Sequence, residues 1–228
     1  MQEGFPKARW PHRLRGSKKW FVVLRIVFLI NTYPRTSHSF IRREVLALEG
    51  QGSPVHRFAM RSRPQGPKDP GDLAEDSRTE HVLKARRIAL LGSALGWMAL
   101  RPGRAIPALM MAWQMGGRAD AQFRHLVYLM ETAYVASRCK ALKINYIHAY
   151  LGTNSASVAA LVGALGGPGL SFTTRGPEKF DAPLSLSLGE KVAASRFTVA
   201  IASFGRSQLC RWSDPAKWHK IKVVHWGD

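Results

Sequence analysis

Residues 144–183 read INYIHAYLGTNSASVAALVGALGGPGLSFTTRGPEKFDAP, and the order of apolar and polar side chains in this stretch decides the fold. A strand-like run ends at His148, a short polar turn follows, and then Val158, Leu161, Val162 and Leu165 recur at helical spacing. Thr153 or Asn154 is placed to cap that helix by accepting from the free amides of its first turn, and Gly166 suits the left-handed position that ends it. A second strand is expected over 170–174. Strand, capped helix, glycine, strand is a βαβ unit, which puts the loops 150–154 and 175–183 at one rim of a parallel sheet, where ligands of such sheets bind.

The same rhythm extends in both directions. Downstream, the pattern predicts a helix over 184–194, a strand over 197–201, a helix over 203–212 and a strand over 221–225. Upstream, residues 20–30 form an apolar run that follows a basic lead and so imitates a secretory signal. The run is short, holds Arg25 near its centre and is followed by Asn-Thr-Tyr-Pro-Arg rather than by small residues. A membrane span needs roughly 20 apolar residues. It is therefore read as a first parallel strand, buried on both faces. A turn over 31–39, a helix over 40–50 with Ile41, Val45 and Leu48 on one face, and a strand over 54–60 complete another βαβ unit. Ser37, His38 and Ser39 stand where the first strand meets its helix, and free amides there favour an anionic group. The plainer reading of Ser37 or Ser39 is a helix cap.

Residues 61–76 read as a surface loop, and from Glu80 to about Lys143 the pattern is helical. Residues 88–100 carry no charge but are bracketed by Lys84, Arg86 and Arg87 on one side and by Arg101 and Arg104 on the other. A second helix, ending at Gly116 and Gly117, aligns Ile106, Leu109, Met110 and Trp113. A third aligns Phe123, Leu126, Val127, Met130 and Tyr134. These stripes are expected to be buried against the sheet or one another. The sharper alternative lays part of this insert on an anionic membrane, with Trp97 or Trp113 at headgroup level and arginines on phosphates.

Composition bounds the whole. A chain of 228 residues buries one substantial core, so one α/β domain is expected and a complete two-domain enzyme would not fit. Hydrophobic residues at 46% and charged residues at 21% are those of a globular protein. Thirty-four Lys and Arg against fifteen Asp and Glu give a formal charge of +19 and a pI near 10.8. The surface must attract polyanions, whether phosphate backbones, lipid headgroups or pyrophosphates. Residues 1–20, with Lys7, Arg9, Arg13, Arg15, Lys18 and Lys19, are expected to be a basic, poorly ordered arm. Cys139 and Cys210 have no metal-ligand spacing and no disulfide partners near them in sequence, so no metal site and a reducing cytoplasm are the expectations.

Four segments carry a family resemblance: YPRTSHSFIRREVLALEGQG at 33–52, IHAYLGTN at 147–154, SFTTRGPEKFDAP at 171–183 and VAIASFGRSQLCRW at 199–212. Together they resemble the amino-terminal half of bacterial glycosyltransferases built from two Rossmann-like domains, the GT-B architecture. The nearest resemblance is to those that make colanic-acid-like exopolysaccharides. The resemblance implies a mostly parallel sheet with helices on both faces and a helical insertion at about 80–143, over residues 21–228. It also implies hexose transfer, with retention, from a nucleotide sugar to a lipid-linked oligosaccharide. The nucleotide sugar is a substrate and no cofactor is expected. The setting would be cytoplasmic, at the inner face of a bacterial plasma membrane. The family's carboxy-terminal domain supplies the nucleotide-sugar pocket and its paired glutamates. Here the chain stops at Asp228, where the hinge would begin, so a truncated product or a separate carboxy-terminal partner is expected, and the chain alone is expected to be inactive.

Residue by residue, the family usually reads Ser-Glu-Thr-Phe-Ile at 37–41, where this chain has Ser37, His38, Ser39, Phe40 and Ile41. It usually has a histidine before Gly176 that contacts the transferred sugar, where this chain has Arg175. A guanidinium stays charged and has no acceptor, whereas a neutral imidazole has one. No catalytic residue is therefore assigned. Tyr150 stands in a segment that commonly reads His-Ala-His, and His148 is kept. Gly176 would allow close backbone approach, and Glu178 and Asp181 are candidate acceptors for sugar hydroxyls. The plainer readings are a turn-stabilising Asp181 and a hydrogen-bonded core His148. The glycines of GALGGPG follow a helix, the wrong side for a dinucleotide fingerprint. The competing function is a non-enzymatic polyanion binder on a membrane surface or nucleic acid. Nucleic acid is disfavoured, because no zinc-finger, RNA-recognition or helix-turn-helix signature is present.

Overall fold

Strand β1, Ile26–Thr32, is apolar at almost every position because both its faces are covered. It is followed by α1, Ser39–Gly50, and β2, Val55–Arg61. After α2, Pro70–Ser77, and β3, Thr79–His81, come three helices in succession: α3, Arg87–Leu100, α4, Pro102–Gly116, and α5, Ala119–Ala141. The chain then alternates β4, Tyr146–Tyr150, α6, Asn154–Ala164, β5, Gly169–Thr174, α7, Leu188–Ala194, β6, Phe197–Ala200, α8, Ser203–Arg211, and β7, Ile221–Val223. The computed structural model describes residues 24–63, 66, 69–84, 87–116, 119–176, 180, 183–184 and 186–225. The basic arm at 1–20 lies outside them.

Seven strands form one sheet in the order β3-β2-β1-β4-β5-β6-β7, and every neighbouring pair is parallel. The order reverses between β1 and β4. A crevice opens at such a switch point, outside the carboxyl ends of the strands. Alternation along β1 assigns the faces. Ile26, Phe28 and Ile30 pack with Phe40, Ile41 and Val45 of α1. Val27 and Leu29 join the opposite core with Val135 and Ala136 of α5 and with α6, α7 and α8. Full burial of each such side chain stabilises by about 1.5–3 kcal/mol.

The loop expected over 61–76 is in part helix α2, and β3 replaces the helical start expected at Glu80. Both departures have one cause. The buried residues of α2 are Asp72 and Glu75, so its inner face carries carboxylates and no apolar period marks it. Arg57 of β2 makes the burial of Glu75 tolerable: its guanidinium donates to Glu75 at 3.2 and 3.3 Å and also to Glu49 of α1, while Tyr33 Oη donates to Glu75 at 2.8 Å and Arg42 donates to Asp72 at 3.3 Å. Glu80 works similarly on the other side, accepting from Arg138 of α5 at 2.8 Å twice and from Tyr134 at 3.0 Å. Downstream, α7 starts at Leu188, later than expected, and Leu184 is exposed.

The helical insert is present, but the α4 stripe does not bury as expected. Ile106, Met110 and Trp113 are 59–64% exposed, and the residues of α4 that face inward are Ala108, Ala112 and Met115. Small alanines let α4 approach Leu161 of α6 closely, which turns the larger side chains outward.

Candidate functional site

At the carboxyl end of β1 the chain turns through Tyr33, Pro34 and Arg35 into the first turn of α1. His38 occupies the N-cap position, and no side chain caps the helix. Ser37 and Ser39 are exposed and make no cap, contrary to their plainer reading. A 3-10 turn, Thr36–His38, leads directly into α1, and its His38 amide donates to the Arg35 carbonyl at 2.8 Å, so backbone rather than a side chain starts the helix. His38 itself is 8% exposed, and its Nδ1 is buried without a hydrogen-bond partner. Burial, and then the positive charge of Arg35, hold this imidazole below its ordinary pKa, with Arg175 adding to the effect. At neutral pH the ring is uncharged and offers a lone pair.

Arg175 comes from the end of β5, 137 positions away, and its guanidinium lies 4.5 Å from the centre of the Phe40 ring. Phe40 in turn meets His38 edge-on at 5.9 Å. The fold therefore brings His38, Phe40 and Arg175 to one place, with Arg35 close enough to bias His38. Gly176, at φ +91°, lets the chain turn away immediately after Arg175. Glu178 and Asp181 lie outside the described residues.

Across the crevice, β4 ends in a turn with two consecutive left-handed residues, Leu151 at φ +72° and Gly152 at φ +59°. The turn leads into α6, where neither Thr153 nor Asn154 forms the expected cap. Thr153 Oγ1 is buried without a partner. Ser155 Oγ instead donates to the Tyr150 carbonyl at 3.0 Å. Beneath the turn, Lys191 of α7 is 1% exposed, and its Nζ donates to the carbonyls of Gly152 at 2.9 Å and Thr153 at 3.0 Å. Sequence reasoning passed over Lys191, because a lysine in a short helix reads as surface. Arg35 was also missed, and its signal was its place directly after the first strand.

Gly152 gives a direct test of how tightly this rim is built. A Cβ there would stand 3.0 Å from Thr174 Cγ2 in a backbone conformation that L side chains resist. Gly152→Ala is expected to lose about 1–3 kcal/mol, the scale of a strained left-handed residue in a crowded turn. Urea unfolding measures it, and an unchanged midpoint would show that the turn relaxes freely.

His148 and Tyr150 are not at the rim. Their side chains lie on the α1 face of the sheet. Both His148 ring nitrogens are satisfied, Nδ1 with Ser171 Oγ at 2.7 Å and Nε2 with Thr173 Oγ1 at 3.0 Å. Burial pushes its pKa down to about 4, so it is a neutral core residue. Tyr150, 1% exposed, donates its hydroxyl to Glu44 of α1, whose carboxyl is pushed up by burial. These residues line a cleft of about 900 Å³ running along the sheet beside α1, together with Phe28 and Phe197.

Among the described residues, no group of three or more His, Cys, Asp or Glu side chains could hold a metal ion. Cys139 and Cys210 are both free, and burial raises the Cys139 thiol to about 12.

Among the described residues, six buried side-chain polar atoms lack a partner, and three of them, Asn31 Oδ1, His38 Nδ1 and Thr153 Oγ1, belong to segments at the carboxyl ends of β1 and β4. Buried polar groups are normally paired, so such orphans mark places where a bond is still to be made. The crevice thus combines uncapped helix N-termini, unpaired polar atoms and arginines, an arrangement suited to hydroxyl-rich or anionic ligands.

No family model matches the chain, and no curated protein matches it. Among solved structures, the apo form of the lipopolysaccharide outer core galactosyltransferase WaaB is similar over 89% of this chain, with a TM-score of 0.55 and 9% identity. The similar region makes up 45% of the WaaB chain, so the present chain spans less than half that protein's length. The likeness is one of fold: the seven-stranded parallel sheet has the Rossmann-like architecture of a GT-B glycosyltransferase domain.

Proposed function

We propose that this chain is the acceptor-side domain of a GT-B glycosyltransferase, which transfers a hexose from a nucleotide sugar to a lipid-linked oligosaccharide in the assembly of a cell-surface polysaccharide. The observation that carries this reading is the concentration of unpaired polar atoms, beside helix N-termini without side-chain caps, at the β1–β4 crevice. A sugar acceptor presents many hydroxyls and needs donors and acceptors held ready in a site that closes on it. The four family-like segments and the fold likeness to a galactosyltransferase support the same reading.

On this reading His38 takes over a role that the family gives to a histidine at position 175. The resembling family usually has Glu at 38 and His at 175; this chain has His38 and Arg175, and the two lie close enough for the arginine to bias the imidazole. His38 remains neutral at pH 7 and receives a hydroxyl hydrogen, and Arg175 fixes Phe40 and favours negative charge at the crevice. A second domain holds the nucleotide sugar.

The test is product formation from a radiolabelled nucleotide sugar and a lipid-linked acceptor. The chain alone is expected to give none. A fusion to the carboxy-terminal domain of a GT-B neighbour is expected to turn over, and His38→Ala in that fusion to lower the rate by about 100-fold, the smaller end of general acid–base contributions. A folded, donor-binding fusion that transfers nothing to any acceptor sinks the glycosyltransferase reading. A fusion indifferent to His38→Ala sinks the role given to His38.

A further inference from the structure

The α3–α4 hairpin is apolar on both of its sides. Its inner side packs on α5, and α4 also reaches α6. On its outer side Leu91, Leu95 and Met98 of α3 and Ile106, Met110 and Trp113 of α4 are each more than half exposed. Each trio has the spacing i, i+4, i+7, so each forms one stripe along its helix. Between the helices runs an apolar groove of about 300 Å³, floored by Leu129 and Leu165 and walled by Trp97 and Pro102. Trp97 is pinned there by an Nε1 donation to Ser137 Oγ at 3.0 Å.

Charge names the occupant. From Val82 to Ala119 the chain has no Asp or Glu, while it carries Lys84, Arg86, Arg87, Arg101, Arg104 and Arg118. Arg101 and Arg104 lie exposed at the turn joining the two helices, and the Arg101 guanidinium sits 5.4 Å from the centre of the Trp97 ring. A protein partner for such a large apolar face would require neither an acid-free stretch nor cations at its edge. An anionic bilayer requires both features: apolar side chains to enter the acyl boundary and cations to meet lipid phosphates. None of the described helices is long and apolar enough to cross a membrane. At 1.5 Å per residue the fourteen residues of α3 reach about 21 Å, short of a hydrocarbon core of about 30 Å. On a bilayer such a hairpin would lie in the interface plane.

We propose that the outer face of the α3–α4 hairpin docks this protein onto an anionic lipid surface, with Trp113 and its neighbours below the headgroups and Arg101 and Arg104 among the phosphates. Docking by this face does not depend on the transferase reading.

The full chain is sedimented with vesicles of phosphatidylcholine alone and of phosphatidylcholine mixed with phosphatidylglycerol, at low and high salt, and its oligomeric state is measured without lipid. The phosphatidylglycerol vesicles are expected to bind at least about tenfold better, and salt to weaken the binding. Trp113→Glu and Met110→Glu, substitutions at exposed sites, are expected to lower it by about tenfold or more while circular dichroism stays unchanged. Arg101→Glu with Arg104→Glu is expected to remove the preference for phosphatidylglycerol. Binding that ignores the Trp113→Glu and Met110→Glu changes would assign it to charge elsewhere in the chain and overturn the proposal. Failure to bind either vesicle overturns it too, as does self-association abolished by Trp113→Glu, which would make the face a contact between copies of this chain.

Discussion

Arg57→Met is expected to lower folding stability by about 3–5 kcal/mol, the usual penalty for stranding one member of a buried ion pair. Glu75 is 3% exposed and Arg57 5% exposed, so water cannot replace the guanidinium once it is gone. Tyr33 would remain as a donor to Glu75, but one neutral hydroxyl does not balance a buried carboxylate. For a domain of ordinary stability, about 5–15 kcal/mol, the loss would leave much of the chain unfolded at modest urea concentration. The cause can be isolated. Arg57→Met combined with Glu75→Leu removes the two buried charges and leaves only the part-exposed Glu49 without its partner, so it should recover most of the loss, since apolar replacement of a buried pair is often neutral. If the double variant is as unstable as the single one, the network stabilises through packing and not through charge. The consequence reaches the crevice, because the same network holds Tyr33, and Tyr33 opens the turn that carries Arg35 and His38.

What the sequence makes legible follows the kind of force that holds each element. Elements held by apolar burial announce themselves: the helix with Ile41 and Val45 and the unit from β4 through β5 are where the pattern of apolar residues puts them, and the first strand is found within its apolar run, though it starts at Ile26 and continues to Thr32. Elements held by buried charge do not. Helix α2 turns Asp72 and Glu75 inward, and a reading by hydrophobic period takes it for loop. The α4 stripe misleads in the opposite sense, because its period is real while its large side chains stay exposed and the alanines beside them make the inward contact. At the candidate site, the loops at the rim and the presence of His38 and Arg175 in them were legible. Their meeting was not, since it depends on β5 lying two places from β1 in the sheet. His148 follows its plainer reading, for its hydrogen bonds to Ser171 and Thr173 make it part of the sheet's interior.

Lys191 should give the protein a stability that climbs with pH through the neutral range. Burial at 1% exposure pushes its pKa from 10.5 down to about 7. The unfolded chain keeps this proton until pH approaches 10.5, whereas the folded chain releases it above about 7, so between those values unfolding takes up a proton and raising the pH favours the folded state. Between about pH 7 and 9 the single lysine accounts for a gain of about 2 kcal/mol. The Cys139 thiol, raised to about 12, acts in the opposite direction from about pH 9 upward, which sets the upper limit of the useful window. In Lys191→Met the lysine's part of the slope should vanish while that of Cys139 stays, so the difference between the two proteins isolates the buried amine. Urea midpoints across this window are the measurement, and parallel slopes for wild type and variant would refute the assignment. The same substitution strips the Gly152 and Thr153 carbonyls of their donor, and amide exchange at 152–155 should quicken in the variant. If exchange there is unchanged while the slope disappears, Lys191 sets stability without shaping the crevice. If both change together, the Lys191 amine is what holds the β4–α6 turn in its left-handed form, and one buried side chain couples the stability of the domain to the rigidity of the site that the turn borders.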